Sequence, residues 1–456
     1  LHPKADVSLQ PMKAYRASLL WFAPYGDGPV RAVFEEDGLL VVGPNALGVQ
    51  VVQAIGAYGA LADQHPGVVV EHLPGRIIAP GFVDLHLHYP QTNVIGSPAD
   101  GLLPWLENYT FPEEKRFAAP EYSAQAATFF IAELLRNGVT TALTFATSHT
   151  ESVDALFAEA RLRRMRLITG LCLMDRNAPA DLLNRASSDG RVTGTEQSLR
   201  DTEALIQRWH GKDRLGYAIT PRFAPTCTDA QLRGAGELAK QYPDVWIQSH
   251  VAENKDEIAW ARELFPQSRS YLATYDDFGL MRHRAIYAHC IHFDDNDRDL
   301  MRETGAAAAI SPTSNLFLGS GFFDYAGADR VGFRYGLASD VGGGTSFSPF
   351  HTMLGAYYVG REGQTKQGLS LNPQHLWWQH TAGAARALGL DGTHGSAAVG
   401  NLLPGCEADF VVLNPGCTPL LERKTSRAAN LDELLFAMIV LGDDRLIERT
   451  VISQAA

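Results

Sequence analysis

Between about residues 80 and 400 the chain alternates short apolar segments with longer helical ones, the pattern of a parallel α/β fold. Eight strand candidates stand in that stretch, at 81–88, 139–147, 167–175, 215–226, 245–251, 285–291, 306–311 and 331–340. Helical segments separate them, among them 123–137, 152–164, 197–210, 229–241, 255–264 and 294–303. Eight β/α units that close on themselves make a TIM-like (β/α)8 barrel. A doubly wound open sheet is the weaker alternative, because no Gly-rich dinucleotide loop follows the first strand. The flanks are strand-rich, with candidates at 14–22, 32–36, 39–42 and 68–78, and a β pattern returns at 400–413. The expected architecture is therefore α/β: a barrel over 80–400 beside a small β-sandwich domain built from both chain ends, 1–79 and 401–456. The Ser-, Gly- and Asp-rich stretch 176–195 reads as a long loop at the barrel mouth.

Composition narrows the partners. Hydrophobic residues at 45% and charged residues at 20% describe a globular chain with ample core. A net charge of -12 argues against a nucleic-acid backbone or an anionic membrane as partner. No apolar run approaches the ~18 residues of a membrane span. The opening Leu1-His-Pro-Lys-Ala-Asp6 lacks a signal-peptide pattern, and its leading Leu suggests a start that lies upstream or was altered. The five cysteines, Cys172, Cys227, Cys290, Cys406 and Cys417, are odd in number and scattered, as for reduced thiols in a cytoplasmic protein.

The chemistry begins at Pro80-Gly-Phe-Val-Asp-Leu-His-Leu-His88. Side chains alternate along a strand, so His86 and His88 share a face and supply half of a divalent metal site. A lone His-x-His is more often a pair of solvated or hydrogen-bonded histidines. Here His250 ends the fifth strand, His289 lies near the end of the sixth, and Asp340 ends the eighth before Val341-Gly-Gly-Gly344. Barrel active sites collect residues from the C-terminal ends of several strands, so five such positions favour the metal. His149-Thr-Glu151 matches part of a cytidine-deaminase-type zinc motif, but the required Pro-Cys-x-x-Cys is missing; His149 is expected at the mouth or surface.

This order of residues resembles the amidohydrolase superfamily, and the likeness extends to Leu402-Leu-Pro-Gly-Cys-Glu-Ala-Asp-Phe-Val-Val412. Two-metal members bridge their ions with a carboxylated Lys on strand 4. Strand 4 here has none, and only Lys115, Lys212 and Lys240 lie between His88 and His250. The resemblance then implies the mononuclear subgroup: one Zn2+ per chain (iron as the alternative) on His86, His88, His250 and Asp340. It further implies Asp340 as base toward water, Glu253 as proton shuttle, and His289 as a group that orients water or stabilises developing charge. Within the superfamily, several segments are similar to the guanine deaminase family. They include His86-Leu-His-Tyr-Pro-Gln91, Leu103-Pro-Trp-Leu-Glu-Asn-Tyr-Thr-Phe-Pro-Glu113, Thr220-Pro-Arg-Phe223, Ser249-His-Val-Ala-Glu-Asn254 and Ser339-Asp-Val-Gly-Gly343. Ser339 stands where Thr is expected and Thr313 where Asn is common, and neither is a candidate ligand.

The implied substrate is guanine, hydrolysed to xanthine and ammonia in a cytoplasmic homodimer. Arg222 offers a planar donor fork for a purine carbonyl, and Gln91 offers a donor and an acceptor together. Phe223 and Trp105 could stack on the base, with His88 and His250 at its reacting side. Blander accounts are a structural ion pair for Arg222 and a loop core for the aromatics. The alternatives are a mononuclear aminohydrolase acting on a pterin, an adenine derivative or a triazine, and a non-catalytic barrel scaffold that would be expected to have lost ligands.

Overall fold

The structure, a computed structural model, describes residues 12–25, 28–364 and 371–453. The reading of Leu1–Asp6 lies outside the described residues. The eight barrel strands, in order, are Phe82–His88, Val139–Phe145, the interrupted pair Arg166–Thr169 and Cys172–Leu173, Leu215–Pro221, Trp246–Val251, Ala285–His289, Ala307–Ile310 and Arg334–Leu337. They pair in parallel, each with its neighbour in sequence. The ring closes through backbone just past strand 8. The Asp340 N–H donates to His86 O at 2.8 Å, and the His88 N–H donates to Val341 O at 3.2 Å. First and last strands are thus stitched together at three of the candidate ligands.

Differences from the expected spans have local causes. Strand 3 breaks at Gly170, where a Cβ would strike the backbone carbonyl of Ala218. Strand 8 begins three residues late, because Val331 ends the helix Tyr325–Val331 and Gly332 caps it at φ 81°. The stretch 176–195 is irregular up to Thr193, whose side chain and Glu196 form a capping box on the helix Gly194–Trp209.

Inside the barrel Val83, Leu85, Leu143, Ile168, Ala218, Trp246, Ile286, Ala307 and Ala309 make one apolar cluster below the mouth. These are the inward positions of the strands, so the barrel is filled with side chains and its chemistry is confined to one end. Between strand 1 and its helix Pro120–Arg136, a run of short helical turns over 89–118 folds across that end.

Both chain ends meet in a six-stranded sheet ordered Ile447–Val451, Phe410–Leu413, Val69–Pro80, Lys13–Tyr25, Gly28–Pro44 and Gln50–Ala57. The candidates 32–36 and 39–42 are parts of one long strand, and Gln50–Ala57 was not anticipated. Only 410–413 of the 400–413 stretch is strand, and helices Pro419–Thr425 and Leu431–Leu441 follow it. The second of these packs on the barrel helix Pro349–Val359, with Phe436 and Tyr357 rings 4.8 Å apart. Half-buried Arg214 pairs with Asp409 and with Glu407, tying the returning chain to the barrel. All five cysteines are free, and among the described residues no helix is long and apolar enough to cross a membrane.

Candidate metal and substrate site

The four candidate ligands converge. His86 Nε2 lies 3.2 Å and His88 Nε2 3.4 Å from Asp340 Oδ1, and His88 Nε2 is 3.1 Å from His250 Nε2. The donor atoms of His86, His88 and His250 lie within 4.8 Å of one another, as do those of His86, His289 and Asp340. Phe145 floors the cluster, its ring 4.6–5.2 Å from the rings of His250, His88 and His86. The Nδ1 of His250 donates to the Arg222 carbonyl at 2.6 Å, which leaves the Nε2 lone pair facing the cluster. Burial first, then the neighbouring imidazoles, pushes His86, His88 and His250 well below the ordinary imidazole value, so all three stay neutral. The Nε2 of His86 is buried and makes no hydrogen bond although a carboxylate oxygen stands beside it. Lone pairs aimed at one another and at a carboxylate repel unless a cation lies among them. This donor set fits a divalent ion, and its nitrogen-rich composition favours zinc.

The carboxyl groups around the cluster are perturbed together. Burial raises Glu253 to about 8, aided by the charge of Asp340 and opposed by a 3.0 Å bond from Ser320 Oγ. The other oxygen of Glu253 lies 3.4 Å from His289 Nε2, and His289 is held through Nδ1 on Asn315 at 2.9 Å. Burial likewise raises Asp340 to about 6, offset chiefly by His289. Ala252, His289, Cys290 and Asp340 all carry left-handed φ values of 50–75° at or past the ends of strands 5, 6 and 8. Side chains rarely tolerate that backbone, and strained residues of this kind cluster where geometry serves function. Asp84 was overlooked: strand 1 shifts register between Asp84 and Leu87, so simple alternation does not group it with His86 and His88. It accepts from the Ser339 N–H at 3.0 Å and the His86 N–H at 3.3 Å, fixing strand 1 against the strand-8 loop.

The base-reading residues reveal a second omission. Arg222, fully buried, meets Glu114 with Nη1 at 2.6 Å and Nη2 at 3.1 Å, and Gln91 Nε2 donates to the same carboxylate at 2.9 Å. Arg222 thus does form the ion pair named above as its blander account, and Glu114 neutralises it before any substrate carbonyl is offered. No spacing rule could have paired them, since 108 residues separate the two. A cavity opens above the cluster, lined by His88, Gln91, Trp105, Arg222, Phe223, His250, Glu253, His289 and Asp340. Every candidate residue except His86 is brought to this one cavity, and Leu102, Leu106, Glu257, Leu318 and Gly343 complete it. The Trp105 indole N–H is buried there without a partner. His149 lies elsewhere, in a polar hollow with Ser148 and Arg185.

The chain matches the model of the amidohydrolase family over residues 77–453. It is 41% identical to guanine deaminase of Escherichia coli over 446 residues, 97% of this chain and 96% of that protein. With the guanine deaminase of Homo sapiens it shares 32% identity over 383 residues, 82% of this chain and 81% of the other. The solved E. coli guanine deaminase superposes with a TM-score of 0.86, covering 97% of each chain. A guanine deaminase from C. acetobutylicum, solved with guanine bound in its active site, superposes with a TM-score of 0.85 at 29% identity, covering 97% of this chain and 98% of that one. The chain belongs to the amidohydrolase family and, within it, to the guanine deaminases.

Proposed function

We propose that the protein hydrolyses guanine to xanthine and ammonia with one zinc ion per chain. The observation that carries this reading is a single cavity holding a convergent His/Asp donor set on one side and the Gln91–Glu114–Arg222 array on the other. His86, His88, His250 and Asp340 would hold the ion. When bound, it supplies a water acidified toward a pKa of ~7 and therefore nucleophilic at neutral pH.

The protein's own groups do the rest. Arg222 donates to the base carbonyl, Gln91 accepts from the adjoining ring N–H, and Phe223 and Trp105 flank the ring. Asp340 takes a proton as the water oxygen bonds to the amino-bearing carbon. Glu253, which keeps its own proton to about 8, delivers it to a ring nitrogen and then relays a proton to the departing amine. As the C–N bond breaks, the two water protons, one held by Asp340 and one from the new C–O–H, complete ammonia and restore the proton that Glu253 gave to the ring. His289, anchored by Asn315, orients the water between Glu253 and Asp340.

The same reading carries a homodimer in the cytoplasm, checked by sedimentation and fractionation, and a barrel over 80–400 with 1–79 and 401–456 as one β domain. Ammonia release from guanine, adenine, a pterin and a triazine, measured beside metal content, tests the substrate. Guanine should be the preferred base, and preference for any other member of the panel would overturn the assignment.

A further inference from the structure

We infer that Glu114 is a positioning residue that sets the polarity of the base-reading groups and so selects a lactam edge over an amino edge. The inference rests on the guanine reading and deepens it. A carboxylate can only accept hydrogen bonds. Its Oε1 takes the Gln91 Nε2–H at 2.9 Å, so the Gln91 amide turns its NH2 inward and keeps Oε1 as the acceptor offered to a ligand. Gly342, at φ 125°, leaves the room beside that oxygen, and any side chain there would occupy the place of Gln91 Oε1. The same carboxylate holds two donors of Arg222, the Cys172 thiol lies against the guanidinium as well, and further N–H groups are left for a carbonyl. All three side chains are nearly or fully buried, so water cannot substitute for a lost partner.

The result is a donor next to an acceptor in fixed order. Guanine presents a carbonyl beside a ring N–H, which complements that order. Adenine presents an amino group beside a bare ring nitrogen, the reverse at both positions. Discrimination thus comes from an oriented pair, and Glu114 enforces the orientation without touching the base.

Glu114→Gln keeps the shape but gives one edge a donor, so it no longer dictates which way Gln91 faces. In the zinc-loaded enzyme kcat/KM for guanine should fall about 10²-fold, the cost of a misplaced binding group, mainly through KM. Competitive inhibition by 2-aminopurine, which lacks both the carbonyl and the ring N–H, should stay within about twofold. Metal content should be unchanged. The exchange variant Gln91→Glu/Glu114→Gln restores an obligate acceptor toward the base and a buried negative charge beside Arg222. It should lie within about tenfold of the parent, which keeps the idea testable if the single variant does not fold. Equal losses for guanine and 2-aminopurine, an unaffected guanine KM, or an exchange variant as poor as ~10²-fold would each overturn the role of Glu114. A parent inert on guanine would instead overturn the substrate reading, and this inference with it.

Discussion

The ligand half of the cavity and its base-reading half are supported by different kinds of structure. His86, His88, His250, His289 and Asp340 stand on or directly after barrel strands, and backbone groups or a single carboxamide orient them. In the base-reading half, Gln91 and Glu114 sit on helical turns between strand 1 and its helix, and only Arg222 follows a strand directly. What unites them is side chain to side chain, through one buried carboxylate. Metal geometry tolerates little displacement and suits a rigid ring of strands. Selectivity suits loops, which can be remodelled without disturbing that ring. The difference predicts that damage to the first half abolishes chemistry outright, whereas damage to the second weakens recognition of guanine while the metal stays bound.

The hardest blow to this contrast is aimed at the ligands. His86→Ala/His88→Ala should lose the ion and reduce ammonia release to background while the barrel stays folded, because both side chains are cluster groups and neither carries the strand ladder. Elemental analysis and circular dichroism decide it, and a variant that keeps a full equivalent of zinc would remove these residues from the site. Glu253→Gln comes next, with a loss of about 10²–10⁴-fold in kcat, the usual worth of a positioned acid–base group. Zinc content should be unchanged, because Glu253 contacts His289 and Ser320 and lies outside the proposed ligand set. Near-parental turnover would make it a bystander.

The same contrast explains what could be read in advance. Strand alternation and strand-end position are local rules, and they placed His88, His250, His289 and Asp340 at one cavity with His86 in the same cluster, and arranged eight strands in the observed order. Asp84 lies across a register shift from His86 and His88 and was passed over, since an Asp before His-x-His also reads as an ordinary strand-end carboxylate. Glu114 obeyed no local rule. Its partners lie 23 and 108 residues away, and its helical turn carries a second Glu at 113 that bonds to Asn93 and Tyr122 instead. Only the tertiary structure separates the two. The strand Gln50–Ala57 escaped for a related reason: only its first three residues are buried, so its apolar signal is short.

Arg222→Met sharpens the second half of the comparison. It removes the donor to the base and strands Glu114 on Gln91 alone, so the loss combines recognition with an uncompensated buried carboxylate. We expect kcat/KM for guanine to fall by about 2–5 kcal/mol of transition-state stabilisation, with zinc content intact and adenine still rejected. Comparing kcat/KM for both bases is the measurement. A variant indistinguishable from the parent on guanine would refute the part assigned to Arg222, and zinc loss would show that the two halves are not separable.

The smallest expected effect is on stability, at the seam between the halves. Glu257 lines the cavity and accepts from the Tyr271 hydroxyl at 2.6 Å and from the N–H groups of Glu253 and Asn254 at 3.2 Å. Burial, then the charge of Glu253, raises its carboxyl from 4.5 to about 7. The folded form therefore holds a proton that the unfolded chain releases near 4.5. Its contribution is full below that value and declines as pH rises through about 7, by roughly 3 kcal/mol at most. Glu257→Gln mimics the protonated state, so its melting temperature should fall less than the parent's between pH 5 and pH 8. The amide can still accept one of the backbone N–H bonds, which limits the loss at acid pH to the remaining contacts. Thermal unfolding of both proteins across that range, each loaded with zinc, supplies the comparison. Parallel curves would mean that Glu257 stays ionised in the fold and that its bonds to the turn after strand 5 outweigh its burial.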